Sequence, residues 1–193
     1  MWARLCAVES FSYLSVLLSI VLGLAITQVL QGFRGLILAR AKVKLYPPTL
    51  IWAGFALLIA IRAWWASFSM RTHANWTFVG LLVIMLQVIS MYMVAALVLP
   101  NVNGDAIVDL RDHYFAHRTW FFAAVFGSVF FSLAKDLALY GHLPGQIDSM
   151  FLSIFGVAAI VAAITRHEWL HKLLAPIMVL LFLLYIALLF ARL

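Results

Sequence analysis

The sequence predicts an all-α protein, a polytopic bundle of six transmembrane helices, and three observations predict it. Six apolar runs are each long enough to cross a bilayer, whose hydrocarbon core of roughly 30 Å takes about 20 residues of helix. Of the 193 residues, 66% are hydrophobic and only 10% are charged, far from the balance of a soluble domain. Most of that charge falls between the runs. Inside lipid every backbone amide must be satisfied within its own segment, so the runs are helices. They span residues 11–33, 49–68, 76–99, 120–140, 147–165 and 173–191. Residues 1–193 read as a single integral membrane domain, because the connections are too short to hold a soluble catalytic one.

Span one carries small and weakly polar residues at steps of three and four: Ser12, Ser15, Ser19, Gly23, Thr27 and Gln31. Such a stripe lies along one helix face. Small residues let two helix backbones approach closely, and hydroxyls can bond across the seam. The stripe therefore reads either as a packing face, including one between copies of the chain, or as the lining of a polar path. Phe11-Ser12 and Ala25-Ile26-Thr27 are faintly similar to bacterial relatives of the lysosomal potassium channel. Tyr13 and Ala7 stand where that family has an aspartate and an arginine. The similarity implies an oligomeric cation pathway and carries no residue assignment.

Span two holds Arg62, about 10 Å from its outer end at 1.5 Å per residue. Span four runs in the same direction and holds Lys135-Asp136 at similar depth. An interhelical Arg62–Asp136 pair is expected, with Lys135 reaching toward water; separate snorkelling and a transport-linked charge pathway are the alternatives. Span three has Gln87, Ser90 and Tyr92 near its middle and stops before Pro100. Span five is short and rich in Gly156, Ala158, Ala159, Ala162 and Ala163, which suggests an interior position. Pro176 falls in the first turn of span six, where it costs little. Trp76, Trp120, Tyr140 and Trp169 mark span ends, as interfacial aromatic belts do.

The net charge is +6. The first, third and fifth connections hold Arg34, Arg40, Lys42, Lys44, Arg111, Arg118, Arg166 and Lys172, against Arg4, Arg71 and Arg192 on the opposite face. Basic excess marks the cytoplasmic side. These connections are therefore expected inside and both termini outside, in a bacterial inner membrane. Arg40, Lys42 and Lys44 suit anionic lipid headgroups, and no nucleic-acid role is expected. Cys6 is the only cysteine, so no internal disulfide can form.

Four of the six histidines fall in two of the inner connections as i, i+4 pairs, His113 with His117 and His167 with His171. On helical backbone that spacing lets two imidazoles reach one metal. The string His167-Glu168-Trp-Leu-His171 contains H-E-x-x-H and resembles the zincin metalloprotease signature. By that resemblance His167 and His171 would hold zinc and Glu168 would be the general base. A third ligand would come from Asp109, Asp112, His113 or His117. Interfacial histidines without such a role, or a pH-sensing pair, are the other readings. Residues 109–122 mix both charge signs with aromatics and read as an amphipathic inner-surface helix running into span four, the connection best suited to a soluble partner.

No phosphate-binding loop, dinucleotide fingerprint or G-x-S-x-G is present. The best functional expectation is a permeation or small-solute and ion transport component. A non-catalytic partner or regulatory membrane subunit, and a zinc-dependent membrane hydrolase, are the alternatives. No cofactor is expected except zinc under the last reading.

Overall fold

A computed structural model describes residues 2–73, 76–102 and 107–189, with side chains over 11–71, 73, 76–102 and 107–188. The helices are α1 (Trp2–Leu38), α2 (Pro47–Ser67), α3 (Phe78–Val98), α4 (Leu110–Tyr140), α5 (Gln146–Ile164) and α6 (Glu168–Leu189). All six are long and apolar enough to cross a membrane. Residue 191, the expected end of the last span, lies outside the described residues.

Local chemistry sets the helix ends. Pro47 and Pro48 open α2, where a missing N–H costs nothing. Thr77 accepts a hydrogen bond from the Gly80 amide and starts α3, as N-cap hydroxyls do. Asp109 caps α4 by accepting from the Arg111 and Asp112 amides. Partial burial pushes the Asp109 carboxyl up, but these amides and the Lys44 ammonium outweigh it and hold the group below its ordinary range. Gly141 closes α4 in the left-handed conformation, with φ at +72°, where a side chain would be strained.

One expectation is refined here and one changes. Residues 109–122 are helical from Leu110 on and run into span four as expected, but as the opening turns of one continuous 31-residue α4. They are not confined to the surface: Leu110, Tyr114 and Arg118 are buried against the bundle, while Arg111, Asp112 and His117 stay exposed. Arg118 donates to the carbonyls of Thr165 and Ile164, placing a cation at the C-terminus of α5, where the helix dipole favours it. Span five is not interior. Gly156, Ala159 and Ala162 turn toward the bundle, whereas Ile154, Val157, Ile160, Val161 and Ile164 are exposed. The small residues permit close packing on one side only: a Cβ on Gly156 would sit 3.7 Å from Val129 of α4.

The bundle core forms where α2 meets α1, α3 and α6, with α4 packed along α3 and α5 along α4. Toward α2 and α3, helix α1 buries Leu18, Leu22, Ala25, Val29 and Leu36, at the steps of three, four and seven of a knobs-into-holes seam. Trp52, Phe55, Phe121, Phe122, Phe155 and Phe182 join α2, α4, α5 and α6 at mid-bundle. Trp52 meets Phe122 edge-on at 5.3 Å, and Phe55 meets Phe182 at 5.0 Å, geometries that aromatic quadrupoles favour. At one end, two-residue strands β1 (Val43–Lys44) and β2 (Val108–Asp109) pair in parallel and bind the first connection to the third.

Gly32 permits the close approach of α1 to the chain leaving α3. A Cβ there would stand 2.7 Å from the Leu99 Cβ. Alanine gains about 1 kcal/mol of helix propensity over glycine, but overpacking against so rigid an atom costs about 1–3 kcal/mol. The clash wins, and Gly32→Ala is expected to lower the melting temperature in detergent; an unchanged or higher value would show that Leu99 yields freely.

Candidate functional site

Four ionisable side chains and one tyrosine converge inside the bundle, near the end formed by the second and fourth connections. They are Arg62 of α2, Lys135 and Asp136 of α4, Asp148 of α5 and Tyr185 of α6. Each lies within about one and a half turns of its helix end, or about 8 Å. Arg62 Nη2 donates to Tyr185 Oη at 2.7 Å, and Tyr185 Oη donates to Asp148 Oδ1 at 2.7 Å. The Arg62 guanidinium also stands 5.1 Å from the Tyr185 ring centroid, within cation–π range. Lys135 Nζ is 3.7 Å from Asp136 Oδ1, and these side chains are only 18% and 19% exposed.

Two cations and two carboxylates sum to zero charge, which is what permits them to sit among apolar helices. An isolated buried ion costs several kcal/mol, and intramembrane charges therefore face partners or wet cavities. Two small cavities adjoin the cluster, and Arg62 and Gln87 line both. One, of about 50 Å³, continues along Ser128, Ser132 and Tyr185 and ends on Phe55, Phe155 and Phe182. The other, of about 30 Å³, lies toward Leu18 and Leu22 of α1 and touches Lys135. About 10–15 Å³ of such space is enough to hold one water, so both spaces can take water. The rings of Phe55, Phe155 and Phe182 form the apolar side of the first cavity.

The expected Arg62–Asp136 arrangement is thus realised differently in its short contacts. Asp136 lies within electrostatic range of Arg62, but the hydrogen bond of Arg62 described above goes to Tyr185, and Lys135 is the near cation of Asp136. Sequence reasoning passed over Asp148 and Tyr185. Their signal was modest: Asp148 is the one carboxylate in α5, and Tyr185 the one hydroxyl after His171 in α6.

The histidine pairs fall at the opposite end. Helix α6 begins at Glu168, so His167 precedes it, and the His167 carbonyl accepts from the Leu170 and His171 amides. The H-E-x-x-H string is therefore split across a helix start. His171 is 0% exposed. Its Nε2 lies 2.9 Å from the Thr165 carbonyl and its Nδ1 2.8 Å from Tyr114 Oη. A carbonyl only accepts, so Nε2 carries the hydrogen and Nδ1 accepts from the tyrosine in the neutral ring. Glu168 bonds Arg111 at 2.9 Å and Lys172 at 2.8 Å. His113 Nε2 faces the Leu97 carbonyl at 3.2 Å, and His117 Nδ1 faces the His113 carbonyl at 3.0 Å. Among the described residues no three His, Cys, Asp or Glu side chains gather as a metal would need. With both His171 nitrogens and the Glu168 carboxylate engaged by protein, this donor set does not fit a zincin-type centre. Tyr46 packs beside Tyr114, ring centroids 5.5 Å apart, and burial, with Glu168 nearby, pushes its phenol up to about 12.

The small-residue stripe of α1 faces away from the core. Ser12, Ser19, Gly23, Thr27 and Gln31 are exposed and Ser15 is half-buried. Ser15 and Thr27 donate to the carbonyls of Ser12 and Gly23 one turn back. Within one chain the stripe lines neither cavity of the polar cluster. Of the basic trio, Arg40 is exposed, Lys42 ends a short 3-10 turn, and Lys44 pairs with Asp109 at 3.6 Å.

Fold and site together define an integral membrane helix bundle with an internal ionic cluster. Comparison with protein-family models, curated proteins and solved structures finds no match to this chain.

Proposed function

We propose that the chain is a permeation component that passes a small ion or solute along the polar cluster of Arg62, Lys135, Asp136, Asp148 and Tyr185. One observation carries the reading: four ionisable groups from three helices gather within the bundle instead of snorkelling outward, and two of them, Arg62 and Lys135, line water-sized cavities. Proteins keep such groups in lipid at a cost, and they commonly mark ion or proton routes. The basic excess of the first, third and fifth connections supports placing that end in the cytoplasm and both termini outside, in a bacterial inner membrane.

The test is flux across liposomes containing the purified chain. Dye-reported proton, cation and small-solute fluxes are expected for the wild type. Asp148→Asn is expected to reduce the active flux about tenfold or more, equivalent to 1.4 kcal/mol on the barrier. Wild-type liposomes that stay silent across the panel, or an Asp148→Asn protein with undiminished flux, would sink the proposal.

A second reading, a subunit that works beside a partner or another copy, draws on the outward stripe of α1. A Cβ on Gly23 would meet nothing within 4 Å, leaving room for a second helix to close in.

A further inference from the structure

Asp148 and Tyr185 join two environments. Asp148 lies in the first turn of α5, half-buried beside exposed Gln146 and Ile147. Tyr185 is 3% exposed and lines the cavity of about 50 Å³ that continues along Gln87, Ser128 and Ser132. The 2.7 Å hydrogen bond from Tyr185 to Asp148 thus links the bundle end to that cavity. Arg62 backs the link by donating to the same tyrosine oxygen at 2.7 Å.

Resting on the permeation reading above, we infer that the ion handled here is the proton, passed between the bundle end and the cavity by Asp148 and Tyr185. A metal ion, a halide or a solute taking this way must part both short bonds and separate Arg62 from Asp148. A proton displaces no heavy atom. It needs only groups that both accept and donate, as a carboxyl and a phenol do and a guanidinium does not. A proton from water at the bundle end bonds to Asp148, making a carboxylic acid. That acid donates to Tyr185 Oη, whose own O–H turns to water in the cavity. The tyrosine proton then passes to that water as the carboxyl proton bonds to Tyr185 Oη, so one O–H bond forms for each that breaks. Asp148 is again a carboxylate, Arg62 keeps its protons, and a turn of the phenol O–H resets the pair. Arg62 and Lys135 lie within electrostatic range of Asp148, and Asp136 within range of Arg62 and Tyr185. While Asp148 holds the proton these cations are less balanced, which favours its release.

The full chain in liposomes tests this and narrows the panel to one species. An internal pH dye reports protons, and separate liposomes report sodium, potassium, chloride and glycerol. Protons are expected to flow down an imposed pH gradient, with the other fluxes at the level of protein-free liposomes. Tyr185→Phe keeps the ring beside Arg62 and removes the hydroxyl. It is expected to slow proton flow about a hundredfold, the low end of what a positioned proton-transfer group contributes, with circular dichroism verifying its fold. Heavy water is expected to slow the wild type too, a readout that needs no variant. Flow of sodium, potassium, chloride or glycerol, with or without protons, would overturn the inference and leave the permeation reading standing; silence to every species would overturn both. A folded Tyr185→Phe protein with wild-type proton flow, or a wild type indifferent to heavy water, would overturn the relay.

Discussion

Arg62→Met is expected to be among the most destabilising single substitutions in this protein, at about 3–5 kcal/mol. It removes the cation that bonds Tyr185 and faces Asp148 and Asp136. Lys135 then remains alone against two carboxylates, and Tyr185 loses its donor. The size of the loss comes from stranding those charges, not from the intrinsic worth of the pair, so neutralising the stranded acid should return much of it. The double variant Arg62→Met, Asp148→Asn is accordingly expected to be more stable than Arg62→Met alone. Unfolding in mixed detergent micelles across the four proteins of the cycle reads the coupling. Strict additivity would mean that Arg62 is solvated from outside and that the network has no energetic reality. Flux and stability separate here: the double variant should fold and still fail to conduct.

The second large effect is expected at His171, where replacement by alanine should cost about 3 kcal/mol or more. The substitution opens a cavity in a fully enclosed site and strands the Thr165 carbonyl and the Tyr114 hydroxyl without their partner. Tyr114, Phe115 and Phe122 surround the ring at 5.3–5.8 Å between centroids, so little can collapse inward. Glu168→Gln makes the contrast, since its ion pairs with Arg111 and Lys172 are partly exposed and such pairs contribute little to stability. A chelator is expected to leave the melting temperature of the wild type unmoved. Were His171 and Glu168 to act together on zinc, chelation and both substitutions would share one phenotype. A large loss at His171 with a small one at Glu168 assigns the histidine to architecture.

The helices were legible because lipid allows few solutions: long apolar runs must be helical, and six of them leave little else to arrange. What the runs hid was where helices continue past the hydrocarbon. The turns of α4 from Leu110 carry charges and read as a surface helix, yet burial of Leu110, Tyr114 and Arg118 ties one of their faces to the core. Arg62, Lys135 and Asp136 could be read as costly charges in apolar segments. Their short contacts could not, because which carboxylate or hydroxyl an arginine reaches depends on helix rotation and tilt, which packing sets. The H-E-x-x-H string has a related limit. Its geometry presumes one unbroken helix, whereas the backbone becomes helical only at Glu168 and turns His171 into the core. Span five shows the same limit: small residues announce a close neighbour but not whether there is one or two.

The paired strands β1 and β2 carry a mechanical consequence. Together with Arg118 bridging to the end of α5, they clamp three crossings of the chain at one pole of the bundle, whereas the other pole is held among the described residues by side chains alone. Any rearrangement that widens the interior must then pivot about the clamped pole and part at the ionic one, as a clothes-peg opens opposite its spring.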